Sequence, residues 1–254
     1  VVELDAASQR GIDDARALRE GVRVLPFSSV KKAYIIDEAH MLTREAFNAL
    51  LKTLEEPPEH AMFILCTTEL EKVPETIISR TQHLKFNKIS NENIVLELKK
   101  ISKKEDLDIE DGALRLIAFF SEGSLRDAQN ILFQSVSLGK KIKENDLRIF
   151  LGAPTVEIAN SIKLSLFSKD PKKAIEFANE AFKTGADPKI LARLVLHDIR
   201  EEYLLKLNKI LTSETKFFDF AIRELLWSLE QRTDDYTAHI PLELALIKIA
   251  TQNS

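Results

Sequence analysis

The chain has 254 residues, of which 44% are hydrophobic and 30% charged, so it is not a disordered chain and has room for two or three domains. Its 36 Lys and Arg residues against 40 Asp and Glu residues give a net charge of -4. No global positive field therefore attracts it to DNA or to an anionic membrane. The single cysteine, Cys66, excludes an internal disulfide and a cysteine-cluster metal site and favours the reducing cytoplasm. No apolar run of the sequence is long enough to predict a membrane span.

Short β-branched runs alternate with helical patterns over the first third of the chain. The runs predict strands over residues 1–5, 33–37, 62–67 and 82–86. Apolar residues at helical spacing predict helices over 12–25 and 47–54. Because strands and helices alternate and the strands are apolar, we expect a parallel sheet with helices on both faces, the α/β class.

The rest of the chain, from about residue 87, has helical patterns and no predicted strand. Helices up to about residue 151 predict a small bundle, and Gly152-Ala153-Pro154 indicates a joint. Beyond it, Asp170-Pro171 and Asp187-Pro188 are typical helix starts, a capping residue followed by proline. Amphipathic segments over 189–209, 215–231 and 240–251 complete a predicted helical assembly domain.

The string KAYIIDEAHML leads an apolar strand directly into two carboxylates, Asp37 and Glu38. Successive side chains of a strand point to opposite faces, so one carboxylate can face a metal ion and the other a water molecule. In open α/β sheets the ligand crevice lies at the carboxyl ends of the strands. The pattern indicates the Walker B arrangement, in which Asp37 holds Mg²⁺ and Glu38 activates the attacking water. The alternative is a strand that ends in a polar turn.

Two further features follow in the order that such a site requires. The next predicted strand ends in Thr67 and Thr68, where a hydroxyl can orient the same water. Arg80, in Ser79-Arg80-Thr81, follows an apolar helix end and can present a guanidinium to the γ-phosphate bound by a neighbouring subunit. If each feature is taken singly, a strand that simply ends in threonines and an ordinary surface arginine explain the residues as well as a functional role does.

Several long strings resemble one family, the gamma/tau subunits of the bacterial DNA polymerase III clamp loader, which are AAA+ ATPases. The resemblance covers residues 3 to about 134 densely and is loose over the last hundred residues. It implies an incomplete parallel-sheet AAA+ core over 1–86, a helical lid over 87–151 and an all-α collar for oligomerisation over 152–254. The matching strings are ELDAASQRGIDDARALRE, KAYIIDEAHML, FNALLKTLEEPPEH, FILCTTELEKVPETIISRTQHLKF and EGSLRDAQNILFQ.

The resemblance also implies roles for single residues. Thr67 corresponds to sensor 1, Arg80 to an arginine finger that acts in trans, and Arg126 of Gly-Ser-Leu-Arg-Asp to sensor 2 on the lid. Thr81 stands where the finger motif usually has a cysteine, a departure that leaves the arginine in place. The implied cofactors are ATP and Mg²⁺, with Asp37 as the metal ligand.

The implied function is that of a cytoplasmic ATPase within the DNA polymerase III holoenzyme, a nucleotidyltransferase. ATP binds between adjacent subunits of a ring, the ring opens the sliding clamp and grips primer–template DNA, and hydrolysis releases the clamp. The partners are therefore other clamp-loader subunits, the clamp and DNA, with no membrane. Arg10, just before a predicted helix, is the candidate DNA contact, although a solvated arginine in a turn is the simpler interpretation.

The sequence departs from the family in one respect. None of its seven glycines belongs to a phosphate-binding Gly-x-x-x-x-Gly-Lys-Ser/Thr loop, and around Gly139 both Gln134 and Lys141 break the motif. In the family this loop and a cysteine zinc module lie upstream of the string ELDAAS. The resemblance therefore implies an amino-terminal truncation, and we expect the chain alone to hydrolyse ATP poorly or not at all.

Two alternatives remain open. A non-catalytic delta-prime-type subunit keeps the arginine finger without an ATP site of its own, but the intact Asp37 and Glu38 argue against it. A DEAH-box helicase would explain the residues Asp-Glu-Ala-His at 37–40, which include His40, but the sequence does not contain the further motifs of that class. The other four histidines show no ligand spacing.

Overall fold

The computed structural model describes residues 1–27, 29–139, 141–207, 212–234 and 236–252, without the side chains of 212–214. The chain divides into two compact units, residues 1–86 and 87–254. The second unit contains both the predicted lid and the predicted collar, so the division into three domains stays a prediction.

The first unit is built on a three-stranded parallel sheet in the order β1-β2-β3. Helix α1 follows β1, helix α2 follows β2, and a short helix α3 follows β3. The first three predicted strands and both predicted helices are thereby confirmed. The bounds are Val2–Asp5 for β1, Ile12–Val22 for α1, Lys32–Asp37 for β2, Arg44–Glu55 for α2, Ala61–Leu65 for β3 and Glu75–Ile78 for α3.

The core of this unit lies on one face of the sheet. Tyr34 and Ile36 of β2 are buried there against α1 and α2, which also pack on each other. On the opposite face Met62 and Ile64 of β3 are 48% and 43% exposed. The expectation of helices on both faces is therefore wrong for the described residues, because both crossover helices occupy the same side.

The predicted strand over residues 82–86 is also wrong. This segment joins no sheet in the described part of the chain, and Leu84 and Phe86 are 67% and 90% exposed. Alternating apolar residues give a segment the propensity for a strand, but the strand forms only if another strand supplies its backbone hydrogen bonds.

The second unit is helical, as predicted, and several of its helices begin at a side-chain cap. Ser90, Ser124, Thr155, Asp170 and Asp187 each accept a hydrogen bond from a backbone N–H of the first turn. The helices are α4 Asn91–Lys104, α5 Asp111–Phe120, α6 Leu125–Ser135, α7 Glu144–Phe150, α8 Val156–Phe167, α9 Pro171–Lys183, α10 Pro188–Lys206, α11 Thr212–Glu230 and α12 Ile240–Thr251. The end of the predicted segment 189–209 lies outside the described residues.

The prediction of no strand beyond residue 87 is wrong at one place. Two short strands, β4 Asp108–Ile109 and β5 Lys141–Ile142, form a parallel pair between helices. Each has two residues, which is too short for a pattern of alternation to be read from the sequence.

Two hydrophobic clusters lie within the second unit. The first is built mainly from α4 to α7 around Ile94, Leu98 and Ile117, and the second mainly from α8 to α12 around Ile162 and Leu246. Leu194 of α10 belongs to the first cluster, so the two helical groups share packing. In the parts of the chain that the structure describes, no helix is long and apolar enough to cross a membrane.

Gly123, in the turn between α5 and α6, is expected to tolerate no side chain. Its φ is +88°, and a Cβ there would lie 2.6 Å from Cβ of Lys88 and 3.2 Å from the carbonyl oxygen of Ile89. Because the conformation is left-handed and the space is filled, Gly123→Ala should lower the free energy of unfolding by about 2 kcal/mol. Denaturant unfolding followed by circular dichroism measures this change.

Gly21 provides the matched control for this substitution. It lies inside α1, and apart from its chain neighbours and the backbone of its own helix no atom lies within 4 Å of the position of a Cβ. Gly21→Ala should therefore raise the free energy of unfolding by roughly 0.5–1 kcal/mol. If Gly123→Ala and the wild type unfold at the same denaturant concentration, Gly123 tolerates a side chain and the prediction is wrong.

Candidate functional site

Asp37 and Glu38 lie where β2 ends, but the backbone separates them in an unexpected way. Asp37 is the last residue of β2, and its exposed Oδ1 accepts the backbone N–H of Glu38 at 3.0 Å. Glu38 lies beyond the strand, with φ 48° and ψ 43° in the left-handed region. The direction of the Glu38 side chain is thus set by a change of backbone conformation beyond the strand, and not by strand alternation as the sequence predicts. Such a conformation costs a non-glycine residue roughly 1–2 kcal/mol, and strain of this kind often marks a functional position.

Polar side chains from the ends of β2 and β3 meet around His40. Its Nδ1 lies 3.0 Å from Oγ1 of Thr67 and 3.4 Å from Oε2 of Glu38, and its Nε2 lies 3.3 Å from Oε1 of Glu69. Only 7% of the His40 side chain is exposed. Thr68 adds a long hydrogen bond, 3.5 Å from its Oγ1 to Oε2 of Glu38. The structure therefore brings Glu38 and Thr67 together, as predicted, through a histidine.

The backbone explains why these residues meet. The N–H of Cys66 donates to the carbonyl of Ile36 at 2.9 Å, and the N–H of Ala39 donates to the carbonyl of Cys66 at 2.8 Å. These bonds continue the pairing of β2 with β3 beyond both strand ends. Ala39 has no exposed surface, so the turn that carries Glu38 and His40 is held firmly against the end of β3.

Glu69 is oriented by two further contacts. Its backbone N–H donates to Oγ1 of Thr67 at 3.1 Å, and its carboxylate pairs with Nζ of Lys72 at 2.7 Å. The hydrogen bond from Lys72, with the charges of Lys72 and His40, lowers the pKa of the Glu69 carboxyl, although partial desolvation opposes this shift. Glu69 is thus kept as a charged acceptor beside the ring of His40.

The electrostatics at this edge of the sheet suit a cation. Partial burial raises the pKa of the Cys66 thiol, and the charges of Asp37 and Glu38 raise it further. Magnesium takes one or two carboxylates from a protein and completes its shell with water and phosphate oxygens, so the exposed carboxylate of Asp37 fits such a ligand. In the described ranges no group of three or more His, Cys, Asp or Glu residues is arranged to hold a metal ion by itself.

Arg80 lies away from this cluster. Its Nε is 2.8 Å from Oε1 of Glu55, the last residue of α2, and its Nη1 donates to the carbonyl of Thr76. Helix α2 begins soon after the acidic pair and runs for 12 residues, about 18 Å, back towards the amino ends of the strands. The side chain of Arg80, which is 45% exposed, is therefore directed to the opposite end of this unit from Glu38.

The two other predicted site arginines are both exposed. Arg126 lies in the first turn of α6, next to the cap that Ser124 makes to the N–H of Asp127. Arg10 precedes α1, and its carbonyl accepts the backbone N–H of Thr43, the cap of α2.

Sequence reasoning missed the part that His40 and Glu69 play in this site. In the sequence His40 is the last letter of a helicase-like string, and Glu69 belongs to no motif. The signals that could have found them are their positions, directly after the acidic pair and directly after the strand-end threonines. Nothing in the spacing, however, shows that the two side chains touch.

Solved structures include chains with a similar fold. The RuvB Holliday junction branch migration motor of Thermotoga maritima has a similar fold, with a TM-score of 0.50 and 17% identity over 64% of this chain and 58% of that chain. The likeness at this identity concerns the fold alone.

Family and sequence matches are more specific. A family model described as DNA polymerase III, delta subunit matches residues 3–90, and one described as DNA polymerase III clamp loader subunit, ATPase lid domain matches residues 93–141. The chain is 43% identical over 207 residues to DNA polymerase III subunit tau of Bacillus subtilis, covering 81% of this chain and 37% of that protein. It is 41% identical over 187 residues to DNA polymerase III subunit gamma of Buchnera aphidicola from Schizaphis graminum, covering 73% of this chain and 52% of that protein.

The chain belongs to the DNA polymerase III gamma/tau family of clamp-loader subunits. It spans 37% and 52% of the length of these two curated relatives.

Proposed function

We propose that the chain is part of an ATP-hydrolysing subunit of a bacterial clamp loader, which opens a sliding clamp and places it on primer–template DNA. Family membership supports the proposal, and one observation carries it. Asp37 and Glu38 stand at the carboxyl end of β2, and the Glu38 carboxylate lies within 3.5 Å of His40 and Thr68 from two adjoining segments. A non-catalytic subunit needs no such arrangement.

Each residue of the cluster has a separate task in this proposal. Asp37 would hold the magnesium ion that accompanies ATP, and this ion would supply charge neutralisation to the phosphate oxygens. Glu38 accepts the proton of the attacking water as general base. Thr67, whose hydroxyl contacts His40 and the N–H of Glu69, orients the water and senses the state of the nucleotide.

Arg80 and Arg126 are proposed to complete the site from elsewhere. Arg80 is directed away from its own acidic pair, which suits a guanidinium that serves the nucleotide of a neighbouring subunit. Arg126 is proposed to contact nucleotide from the lid, residues 87–151, and Arg10 to contact a DNA phosphate. Residues 152–254 are proposed to join the subunit to the others of the ring as the collar, in the cytoplasm.

A second candidate, a non-catalytic subunit of the same machine, is favoured by the family model for residues 3–90, which is described as a delta subunit. The two candidates differ in what they require of Asp37. An ATPase subunit needs this carboxylate for magnesium, whereas a subunit that only assembles does not.

Clamp loading by the reconstituted ring tests the proposal. The full-length protein, assembled with its partner subunits, should load a labelled clamp onto primed DNA only when ATP is present. Asp37→Asn should lower this rate at least about 100-fold, since a catalytic metal supplies several kcal/mol of charge stabilisation. Ring assembly, measured by size-exclusion chromatography, should be unchanged. Normal loading by an Asp37→Asn ring would contradict the proposal and favour the non-catalytic subunit.

A further inference from the structure

We propose that His40 is a positioning residue for ATP hydrolysis, which holds the general base Glu38 and the sensor Thr67 in a fixed relation. The inference rests on the proposed function. Neither the Walker B pattern nor the sensor motif assigns a role to His40. The observations that carry the inference are the burial of the ring and its three contacts.

The first step is the geometry of Nδ1. This atom lies 3.0 Å from Oγ1 of Thr67 and 3.4 Å from Oε2 of Glu38, so it stands between the two groups that would handle the attacking water. The base and the sensor come from different strand ends, and the same nitrogen contacts both. A shift of the ring would therefore move both groups together.

The second step is the anchoring of the ring itself. Its Nε2 lies 3.3 Å from Oε1 of Glu69, and Glu69 is in turn paired with Lys72 at 2.7 Å. The side chain of His40 is 7% exposed, so few other rotamers are open to it. An imidazole has two nitrogens that point in different directions from one rigid ring, so Nε2 can contact Glu69 while Nδ1 contacts Glu38.

The third step is the weak restraint on Glu38 in the absence of the ring. Glu38 lies in a left-handed turn outside the strand, so the pleat of β2 does not aim its side chain. Its contact with Thr68 is long, at 3.5 Å, and the Glu38 side chain is 40% exposed. Without His40 the carboxylate would sample directions that do not face the attacking water, and a misplacement of about 1 Å can cost about 100-fold in rate.

Three substitutions in the full-length protein, assembled in its ring, test this role. His40→Ala should lower the single-turnover rate of ATP hydrolysis by about 10- to 100-fold, the range found when a residue that orients a metal ligand is removed. His40→Asn places an amide near the position of Nδ1 and should restore most of the rate. His40→Gln places its amide near the position of Nε2, facing Glu69, and should restore little. The dissociation constant of a fluorescent ATP analogue should stay close to the wild-type value in all three.

A purely structural role predicts another pattern. His60 is the matched control, because it lies at the other end of the same sheet, where its Nε2 is 2.9 Å from the carbonyl of Val22. His60→Ala should lower the melting temperature but keep the rate per bound nucleotide. Equal rates for His40→Asn and His40→Gln, or a normal rate for His40→Ala, would overturn the proposal. If His40→Ala does not fold, the comparison of His40→Asn with His40→Gln decides the matter alone.

The Glu38→Gln ring separates this inference from the proposed function. If Glu38→Gln stops hydrolysis while the His40 variants behave as wild type, only the role of His40 is overturned. If Glu38→Gln hydrolyses ATP normally, another group serves as the base, and the inference fails while the proposed function stands. Failure of the proposed function itself is seen as normal clamp loading by the Asp37→Asn ring. If His40 acts through Glu38, adding His40→Ala to Glu38→Gln should lower the rate no further.

Discussion

Arg80→Ala is expected to reduce DNA-stimulated ATP hydrolysis by the reconstituted ring by about 10³- to 10⁵-fold at the site that this arginine serves. The loss should occur at the neighbouring subunit, because Arg80 is directed away from its own Glu38 and is exposed beside Glu55. Nucleotide binding by the mutated subunit itself should be intact. Single-turnover hydrolysis and equilibrium binding of a fluorescent ATP analogue, measured on rings with one kind of mutated subunit, check both parts.

Two further variants show whether ATP hydrolysis depends on the guanidinium of Arg80 or on its ion pair with Glu55. Arg80→Lys keeps a positive charge but loses the planar fork of donors, so its rate should stay far below that of the wild type. Glu55→Gln removes only the partner of the 2.8 Å pair, and it should leave hydrolysis nearly unchanged. A ring with Arg80→Ala that hydrolyses ATP as fast as the Glu55→Gln ring would contradict the trans-acting role.

Glu38→Gln is expected to lower the rate of ATP hydrolysis by about 10²- to 10⁴-fold, the contribution of a well-placed general base. The amide keeps the size of the side chain and can still meet Thr68, but it cannot accept the proton of water. Nucleotide binding and ring assembly should persist, so the ring should bind the clamp and fail to release it. Rapid-quench hydrolysis and clamp binding by fluorescence measure the two effects.

Glu71→Gln is the control for this substitution. Glu71 is an exposed acid in the turn Leu70–Lys72, close in sequence to the site, and no role is proposed for it. Its removal should leave the rate unchanged. A Glu38→Gln ring that turns over ATP like the Glu71→Gln ring would show that another group serves as the base.

Sequence patterns predicted most elements of this fold because the patterns are local. The apolar runs at β1 to β3 and the helical periods from α4 onwards depend only on which residues must face a core. The wrong predictions concern which segments pair with one another as strands. Residues 82–86 have the alternation of a strand, yet in the described part of the chain no strand pairs with them. The pair β4 and β5 forms although neither strand is long enough to show a period.

The candidate site divides in the same way. Asp37, Glu38 and Thr67 were predicted from their positions at strand ends, and the structure brings Glu38 and Thr67 together as expected. The role of Arg126 comes from the resemblance alone, and that of Arg80 also from its position after an apolar helix end; both stay predictions. His40 and Glu69 were missed, because the contact between them joins residues from two strand ends.

The amino-acid sequence by itself thus determined β1 to β3 and most of the helices, the acidic pair at the end of β2 and the family to which the chain belongs. These properties follow from residue type and spacing along the chain. The tertiary structure alone decided that both crossover helices cover one face of the sheet, that Glu38 turns into a left-handed conformation and that a buried His40 links it to Thr67. Such features depend on hydrogen bonds and packing between distant segments, and a one-dimensional pattern contains no information about which segments become neighbours.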